Sequence, residues 1–287
     1  MVSVKELVEA GVHFGHRASR WHPQMAKYIY AKHNQIHIID LRETLKGIIR
    51  GNHFLQRLVE AGHEVVFVGT KPQARDVVKE QAQRCGMHFV TTRWLGGTLT
   101  NFQTIRSRLR RLEELEAVES DGSVEVRKKK EIAALRRERR KINRNLEGIR
   151  RMNRLPGAVV VVDIRRDQSA VREARLLGIP VVGVVDTDCD PRTVDVVIPA
   201  NDDAYRSIES ILRCLADSVI TGRDKLHARQ EAEEKKRLED QAEERKRAAE
   251  AKAAAATPAA APAEPVVTSS GAPPSPAAGA PASTRPT

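Results

Sequence analysis

The amino-acid sequence predicts an α/β fold: a domain built on a parallel sheet, with an inserted antiparallel hairpin of two helices. Two observations carry this prediction. Short runs of β-branched residues alternate with helix-like segments in residues 1–102 and 156–222. Residues 103–155, between those regions, follow a different spacing of apolar residues. The chain of 287 residues is long enough to bury a core without disulfides or metals.

Six apolar runs rich in valine and isoleucine predict strands that are buried on both faces. They are residues 37–41, 64–69, 88–91, 159–163, 181–186 and 196–199. Helices are predicted at residues 42–61, 72–85, 168–177 and 202–220. Pro72 suits a first turn, Gly86 suits the residue after a helix, and Asn201 suits an N-cap. Because strands alternate with helices, we expect a parallel sheet of five or six strands, of flavodoxin or Rossmann type.

The inserted region carries two apolar seams whose members step mostly by three or four residues, as the buried positions of packed helices do. The seams are Ile105, Leu109, Leu112, Leu115 and Val118, then Ile132, Leu135, Ile142, Leu146 and Ile149. Residues 120–123 (Ser-Asp-Gly-Ser) have the composition of a turn. The pattern therefore predicts a basic coiled-coil hairpin. The alternative is a pair of core helices, but a core helix would not tolerate so many cations.

The formal net charge of +11 is unevenly distributed. Residues 1–103 carry +6, residues 104–155 carry +8, residues 156–222 carry −4 and residues 223–287 carry +1. Clustered positive charge is the expected signature of a polyanionic partner. No apolar run is long enough for a membrane span, and the first ten residues do not resemble a signal peptide. The three cysteines (Cys85, Cys189 and Cys214) are far apart, which predicts buried thiols.

Ten cations of the predicted hairpin are candidates for binding RNA, because they lie outside the apolar seams and can neutralise phosphates. They are Arg106, Arg108, Arg110, Arg111, Lys128, Lys129, Lys130, Arg136, Arg137 and Arg140. Helical projections rich in arginine suit A-form RNA, which proteins recognise largely by backbone shape and phosphate position. The alternative is that these charges only solvate the helix faces.

Two further segments combine cations with aromatic residues. Residues 11–23 have the composition of a loop that could contact phosphates and stack on bases, and residues 93–102 contain a glycine pair that permits a sharp turn. The candidates in and near these segments are Arg17, Arg20, Trp21, Lys27, Arg93 and Trp94. Residues 1–36 are predicted to form an N-terminal arm of the α/β domain. The alternative for the first segment is that it folds over the sheet, with His13 and His16 as hydrogen-bonding partners.

A run of aspartates (Asp186, Asp188 and Asp190) follows the predicted strand 181–186, at the edge where α/β folds bind ligands. The run resembles the nucleophile and acid pair of phosphotransferases of the haloacid-dehalogenase type, in which one carboxylate attacks phosphorus. Those enzymes also need a downstream lysine, and none occurs between residues 191 and 222. We therefore do not predict an enzyme.

We expect no cofactor, and a structural Mg²⁺ or Zn²⁺ is the alternative. A cluster of carboxylates near strand ends repels itself unless it is solvated or metallated. The candidate ligands are His16, Asp186, Asp188, Asp202 and Asp203. The simpler interpretation is a solvated acidic patch in which Asp202 and Asp203 stabilise a helix N-terminus.

The C-terminal region has the composition of a tail. Residues 223–252 alternate in charge and offer few large apolar side chains, so they predict a charged extension that is able to form a solvated helix. Residues 253–287 are rich in alanine and proline. They cannot bury enough apolar surface to offset the entropy of ordering, which predicts a disordered tail.

Several motifs occur in a recognisable order. They are His13-Phe-Gly-His16, Trp21, His37-Ile-Ile-Asp-Leu41, Val68-Gly-Thr-Lys71, Arg93-Trp-Leu-Gly-Gly-Thr-Leu-Thr-Asn-Phe102, Leu155-Pro156, Gly178-Ile-Pro-Val181, the run 186–191 and Asn201-Asp-Asp203. Together they resemble the universal ribosomal protein S-two family of the small subunit, in its bacterial form, over residues 3–221. Departures from the family pattern are His22, Gln24, His33, Gln35, Asp188 and Ala200, and two cationic positions of the N-terminal arm are lost with them.

The resemblance implies a structural, non-enzymatic constituent of the small ribosomal subunit in the cytoplasm. Members of the family bind small-subunit ribosomal RNA and neighbouring ribosomal proteins at the back of the subunit, between head and body. They join late in assembly and help to hold the messenger-binding protein S-one for translation initiation. We rank this expectation ahead of a free-standing nucleic-acid-binding module and a phosphotransferase, and we expect the acidic block 156–222 to favour protein partners.

Overall fold

The computed structural model describes residues 3–120 and 129–255, with side chains described as far as residue 245. The chain divides into two compact units between Glu233 and Glu234. The first unit contains eight strands among its described residues: β1 (Phe14–Arg17), β2 (Ile29–His33), β3 (Ile36–Ile39), β4 (Val65–Val68), β5 (His88–Val90), β6 (Ala158–Val162), β7 (Val181–Val185) and β8 (Val196–Pro199).

Seven α-helices are described: α1 (Val4–Glu9), α2 (Leu41–Glu60), α3 (Pro72–Cys85), α4 (Phe102–Ser120), α5 (Lys129–Leu146), α6 (Gln168–Leu176) and α7 (Tyr205–Ala255). Helix α3 has the predicted bounds, with Pro72 in its first turn and Gly86 after its end in the left-handed conformation (φ 70°). None of the described helices is long and apolar enough to cross a membrane. Cys85, Cys189 and Cys214 are buried free thiols, as predicted.

Five strands form a parallel sheet in the order β5-β4-β6-β7-β8, which confirms the predicted α/β class. Side chains alternate between two cores because successive residues of a strand point to opposite faces. Val160 of β6 packs in the core that also contains residues of α2, α3 and α7. Its neighbours Val159 and Val161 pack in the other core, with residues of α4, α5 and α6. All four strands β4 to β7 are fully buried, as expected for a sheet that is covered on both faces.

Helix α2 lies directly on the edge strand β8. A Cβ atom at Gly47 would collide with the carbonyl oxygen of Val197, and one at Gly51 would touch Leu215 of α7. Glycine at position 47 therefore allows helix and strand to approach closely. The face of α2 that carries Ile48 and Leu55 is buried, so the opposite face of the helix is turned outward.

The prediction that residues 37–41 belong to the parallel sheet is wrong. Strand β3 lies in a separate antiparallel sheet of three strands, ordered β1-β3-β2. The prediction of a loop over residues 11–23 is corrected at the same time, since residues Phe14–Arg17 form β1. Strands β2 and β3 are joined by Asn34 and Gln35, which both have positive φ (44° and 61°), as a tight hairpin turn requires. The sheet was missed because β2 is mostly exposed and lacks an apolar run.

Helices α4 and α5 pack against each other through the predicted seams. Leu115 and Val118 of α4 face Ile132 and Leu135 of α5 across a narrow space. The pairs Arg111–Glu138 and Arg136–Glu119 flank this contact at 3.6 and 3.7 Å. The predicted turn at residues 120–123 begins at Ser120, the last residue of α4, and its other three residues lie outside the described part of the chain, so the supercoiled hairpin stays a prediction.

Helix α7 begins at Tyr205 rather than at the predicted residue 202. The Asn201 side chain accepts hydrogen bonds from the backbone N–H groups of Asp203 and Ala204, so it closes a turn ahead of the helix. The helix continues through residues 223–252 to Ala255, three residues into the segment predicted to be disordered. Residues 256–287 lie outside the described part of the chain.

Candidate functional site

One face of α5 carries four exposed cations that line a shared groove. Lys129, Arg136, Arg137 and Arg140 surround Ile132 and Ala133 in this groove. Lys129, Ala133, Arg136 and Arg140 are spaced by four, three and four residues, which places them above one another on a helix. We call Lys129, Arg136, Arg137 and Arg140 the α5 cationic face. Lys130, Arg108 and Arg110 are also exposed.

Some of the predicted RNA contacts of the two helices have structural partners instead. Arg106 is half-buried, and its guanidinium donates to the carbonyl of Met152 (3.2 Å). Arg111 pairs with Glu114 and Glu138. Arg136 pairs loosely with Glu119 at 3.7 Å, which leaves its side chain more than half exposed. Lys128 lies outside the described residues. The cations free to meet an anion are therefore concentrated on α5.

The N-terminal segment presents a second group of exposed side chains. Arg17 is the last residue of β1. Arg20 ends the short 3₁₀ helix that follows, and Trp21 comes directly after it. The Trp21 ring is 40 % exposed, and its centroid lies 5.4 Å from that of the His37 ring of β3. Lys27 lies over the Tyr28 ring, 4.7 Å from its centroid. Four of these side chains are exposed and lie between the end of β1 and the start of β2: Arg17, Arg20, Trp21 and Lys27.

Trp94, a predicted RNA contact, is a core residue in the structure. It is 7 % exposed and packs in the core that also contains residues of α4, α5 and α6. The polar end of its ring can be buried because it has a hydrogen-bond acceptor. The indole N–H donates to Glu173 of α6 at 3.0 Å. Arg93, next to it, is exposed. The two residues that the sequence pattern grouped together thus point to different environments.

Glu173 organises the loop that follows β5, and the sequence analysis missed it. Its carboxylate accepts from the backbone N–H groups of Gly97 (2.8 Å), Leu99 (3.0 Å) and Thr100 (3.2 Å), besides the Trp94 indole. Burial opposes ionisation, but these donors outweigh it and hold the pKa of Glu173 below its ordinary value. The available signal was an acidic residue on the face of α6 that also carries Ala170 and Ala174.

The predicted metal candidates lie where four strands of the parallel sheet end, and the lysine among them was not predicted. Lys71 follows β4 and is 8 % exposed. Its ammonium nitrogen lies 2.7 Å from Asp202, 2.6 Å from Asp203 and 3.6 Å from Asp163. Burial disfavours the charged lysine, but the surrounding carboxylates outweigh it and raise its pKa. We call these four residues the Lys71 cluster.

His16 ties the three-stranded sheet to this cluster. Its Nδ1 lies 3.0 Å from Asp186 and its Nε2 lies 3.4 Å from Asp203. The hydrogen bond to Asp186 raises the pKa of His16 to about 9, so the imidazole is charged at neutral pH. Burial raises the pKa of Asp202 to about 7. The expected solvated acidic patch is therefore wrong: Asp186 and Asp202 are 0 % and 1 % exposed, and cations compensate them.

The Lys71 cluster fills the place where α/β folds bind ligands. In the sheet order, β4 leads outward to β5 on one side while β6 leads to β7 and β8 on the other. The crevice between the ends of β4 and β6 is the usual ligand site of such sheets. Here the side chain of Lys71 lies among the carboxylates instead. Asp188, the second acid of the phosphotransferase pattern, pairs with Arg165 at 2.7 Å. The aspartate run is thus engaged in internal contacts.

Among the described residues, two groups of side chains could hold a metal ion by geometry. The first group is His16, Asp186 and Asp202, and the second is Asp163, Cys189 and Asp202. Within each group the ligand atoms lie within 4.8 Å of one another. Of the predicted candidates, Asp188 and Asp203 belong to neither group. The neighbouring ammonium of Lys71 already supplies positive charge next to Asp202 and Asp163.

Fold and site together define an α/β scaffold with exposed cationic surfaces and an internally filled ligand crevice. The family model described as Ribosomal protein S2 matches residues 7–222. The small ribosomal subunit protein uS2 of Rhodopirellula baltica is 56 % identical over 220 residues, which cover 77 % of this chain and 85 % of that protein. The chain belongs to the ribosomal protein S2 family, whose members are structural proteins rather than enzymes. The resemblance seen in the sequence motifs is confirmed.

Replacing Lys71 with methionine should destabilise the protein by about 3–5 kcal/mol, because buried carboxylates lose their compensating charge. Urea unfolding measures the change. Lys79→Met is the matched control, since the Lys79 side chain is 44 % exposed and meets Glu147 only at 3.6 Å, and it should cost less than about 1 kcal/mol. The double variant Lys71→Met, Asp202→Asn should recover part of the loss. Equal effects of the two lysine variants would contradict the cluster's structural role.

Replacing Glu173 with glutamine should destabilise the protein by about 2 kcal/mol or more, because a charged acceptor of several buried donors is lost. The effect depends on pH. Since the folded protein lowers the pKa of Glu173, its contribution is present above the ordinary glutamate range near about 4.3 and is lost as pH falls below it. Unfolding from pH 7 to pH 3 should show a smaller loss of stability for the variant than for the wild type. Parallel pH curves would count against this assignment.

Proposed function

We propose that the protein is a structural constituent of the small ribosomal subunit that binds small-subunit ribosomal RNA through the α5 cationic face. One observation carries the proposal. Lys129, Arg136, Arg137 and Arg140 are exposed along one side of a helix, around a shared groove. Cations in such a row neutralise successive phosphates, and the release of counterions drives binding. Arginine adds bidentate contacts to phosphate oxygens.

The N-terminal segment supplies a second contact in this proposal. Arg17 and Arg20 precede the exposed Trp21 closely in the chain, and Lys27 adds a cation from the same segment, a combination that suits unpaired nucleotides as well as phosphates. Arg93 extends the set from the loop after β5. RNA is favoured over DNA because arginine-rich helices recognise A-form backbones by shape, and because the family is ribosomal.

Protein partners complete the proposal. The block of residues 156–222 carries a net charge of −4, which disfavours contact with a polyanion such as RNA. We assign to it contacts with neighbouring ribosomal proteins and, in support of translation initiation, the docking of the messenger-binding protein S-one. The place proposed for the protein is the back of the subunit, between head and body, which it joins late in assembly in the cytoplasm. The support for these finer statements is the family membership and the charge division.

We further propose that the protein needs no metal, because Lys71 and His16 compensate the buried carboxylates. Elemental analysis of protein purified without chelators should find less than stoichiometric zinc and magnesium, and dialysis against a chelator should leave the unfolding midpoint unchanged. One retained ion per chain, with a lower midpoint after its removal, would assign the carboxylates to a metal site instead.

Neutralising the α5 cationic face should weaken incorporation into small subunits. In the variant Arg136→Gln, Arg137→Gln, Arg140→Gln, the log–log salt dependence of ribosomal RNA binding should flatten by about one unit per arginine. The matched control removes three exposed arginines from α6 and α7: Arg172→Gln, Arg175→Gln, Arg206→Gln. It should leave the slope unchanged. Sedimentation of tagged full-length protein through sucrose gradients at low and high salt measures incorporation.

Three results would contradict the proposal. Sedimentation only in light fractions without ribosomal RNA would favour a free-standing module. An unchanged salt slope in the α5 variant would remove that face from the interface. Magnesium-dependent phosphatase activity that is lost in Asp186→Asn would identify an enzyme.

A further inference from the structure

The outward face of α2 carries a row of four cations and one histidine that the sequence motifs do not single out. Arg42, Lys46, Arg50, His53 and Arg57 are all exposed. At about 100° per residue, these positions fall within an arc of about 80°, opposite the buried face of the helix. At about 1.5 Å per residue, the row is about 22 Å long. We call it the α2 cationic row.

Lys27 extends the row across a concave surface. Lys27 and Tyr28, Arg50 of α2 and the segment before β8 line one concavity. Arg192, at its rim, is held by both oxygens of Asp190. Asp195, also in the lining, accepts from the backbone N–H of Val181. Within the described residues, Lys27 and Arg50 form no ion pair, and Asp195 is the one carboxylate that lines the concavity, so cations outnumber carboxylates there.

Few carboxylates neutralise this surface. Lys46 pairs with Glu43 at 2.7 Å, and Glu60 lies half-buried at the C-terminal end of the row. The hydrogen bond from Lys46 lowers the pKa of Glu43, and Arg50 and Lys27 act in the same direction. Three cations thus converge on one carboxylate. Arg42, Arg50 and Arg57 have no ion-pair partner in the part of the chain that the structure describes.

The helix itself does not explain the row. Arg42 lies in the first turn of α2, where the helix dipole disfavours a cation. Only Arg57, in the last turn, gains from the dipole. A face that merely solvates a helix carries both signs of charge, with pairs four residues apart. The α2 cationic row instead repeats one sign at four-residue steps over most of its length.

We infer that the α2 cationic row, together with Lys27, is a second binding surface for the phosphate backbone of ribosomal RNA. It lies on the α/β body, on elements separate from the α5 cationic face. Steps of four residues place successive cations about 6 Å apart along the helix, close to the spacing of successive phosphates in a strand. The contact neutralises backbone charge and reads no sequence. The inference rests on the proposed RNA-binding function and adds a surface to it.

The test compares two neutralised variants of the full chain with the same loss of charge. Arg42→Gln, Arg50→Gln, Arg57→Gln removes the row, and Arg172→Gln, Arg175→Gln, Arg206→Gln is the matched control. Binding to purified small-subunit ribosomal RNA is measured from low to high potassium chloride. The row variant should flatten the log–log salt slope by about two to three units, and the control should match the wild type. Thermal unfolding of each variant checks that the fold is retained.

The outcomes separate this inference from the proposed function. If the α5 variant lowers the slope and the row variant does not, the inference fails while the function stands. If the wild-type protein does not bind ribosomal RNA, both fail. If the row variant keeps its salt slope but no longer joins small subunits, the surface contacts a protein, and the inference is overturned. If the control flattens the slope as much as the row variant, the effect is one of net charge and the inference is again overturned.

Discussion

The ion pairs of Lys71 hold together the edge of the parallel sheet at which β4, β6, β7 and β8 end. An ammonium with short contacts to Asp202 and Asp203 stands where the sheet topology would otherwise admit a ligand. Buried carboxylates need a compensating charge, and here a side chain supplies it. Internal ion pairs occupy the crevice of the α/β fold, so the exposed surfaces are left to carry the function.

The same group of carboxylates also positions the N-terminal part of the chain. His16 reaches from β1 to Asp186 and Asp203, and the Thr187 hydroxyl accepts from the His16 backbone N–H. The three-stranded sheet is thereby fixed to the parallel sheet, and Arg17, Arg20 and Trp21 are presented beside it. Buried cations and exposed cations have different tasks in this protein: the first neutralise the protein's own carboxylates, and the second remain available to an external polyanion.

The regular elements were largely predictable because they are local. Helix α3 starts at a proline and ends before a glycine, and the valine-rich runs of β6 and β7 leave little alternative to buried strands. The three-stranded sheet was not predictable in this way, since β2 is exposed and its pairing with β3 depends on a two-residue turn at Asn34 and Gln35. Trp94 was misjudged because nothing in its sequence neighbourhood indicates Glu173, 79 residues away.

The sequence by itself determined the α/β class, the interrupted pattern with its basic insertion, and the family, since these follow from periodicity, composition and ordered motifs. It also located the aspartates at the strand ends. Only the tertiary structure decided which charged side chains form ion pairs inside the protein. Whether an aspartate is solvated, metallated or paired depends on groups that are distant in the chain, as Lys71 is from Asp202. Burial and pairing are properties of the assembled fold, and they separate the cations that stabilise this protein from those that can bind RNA.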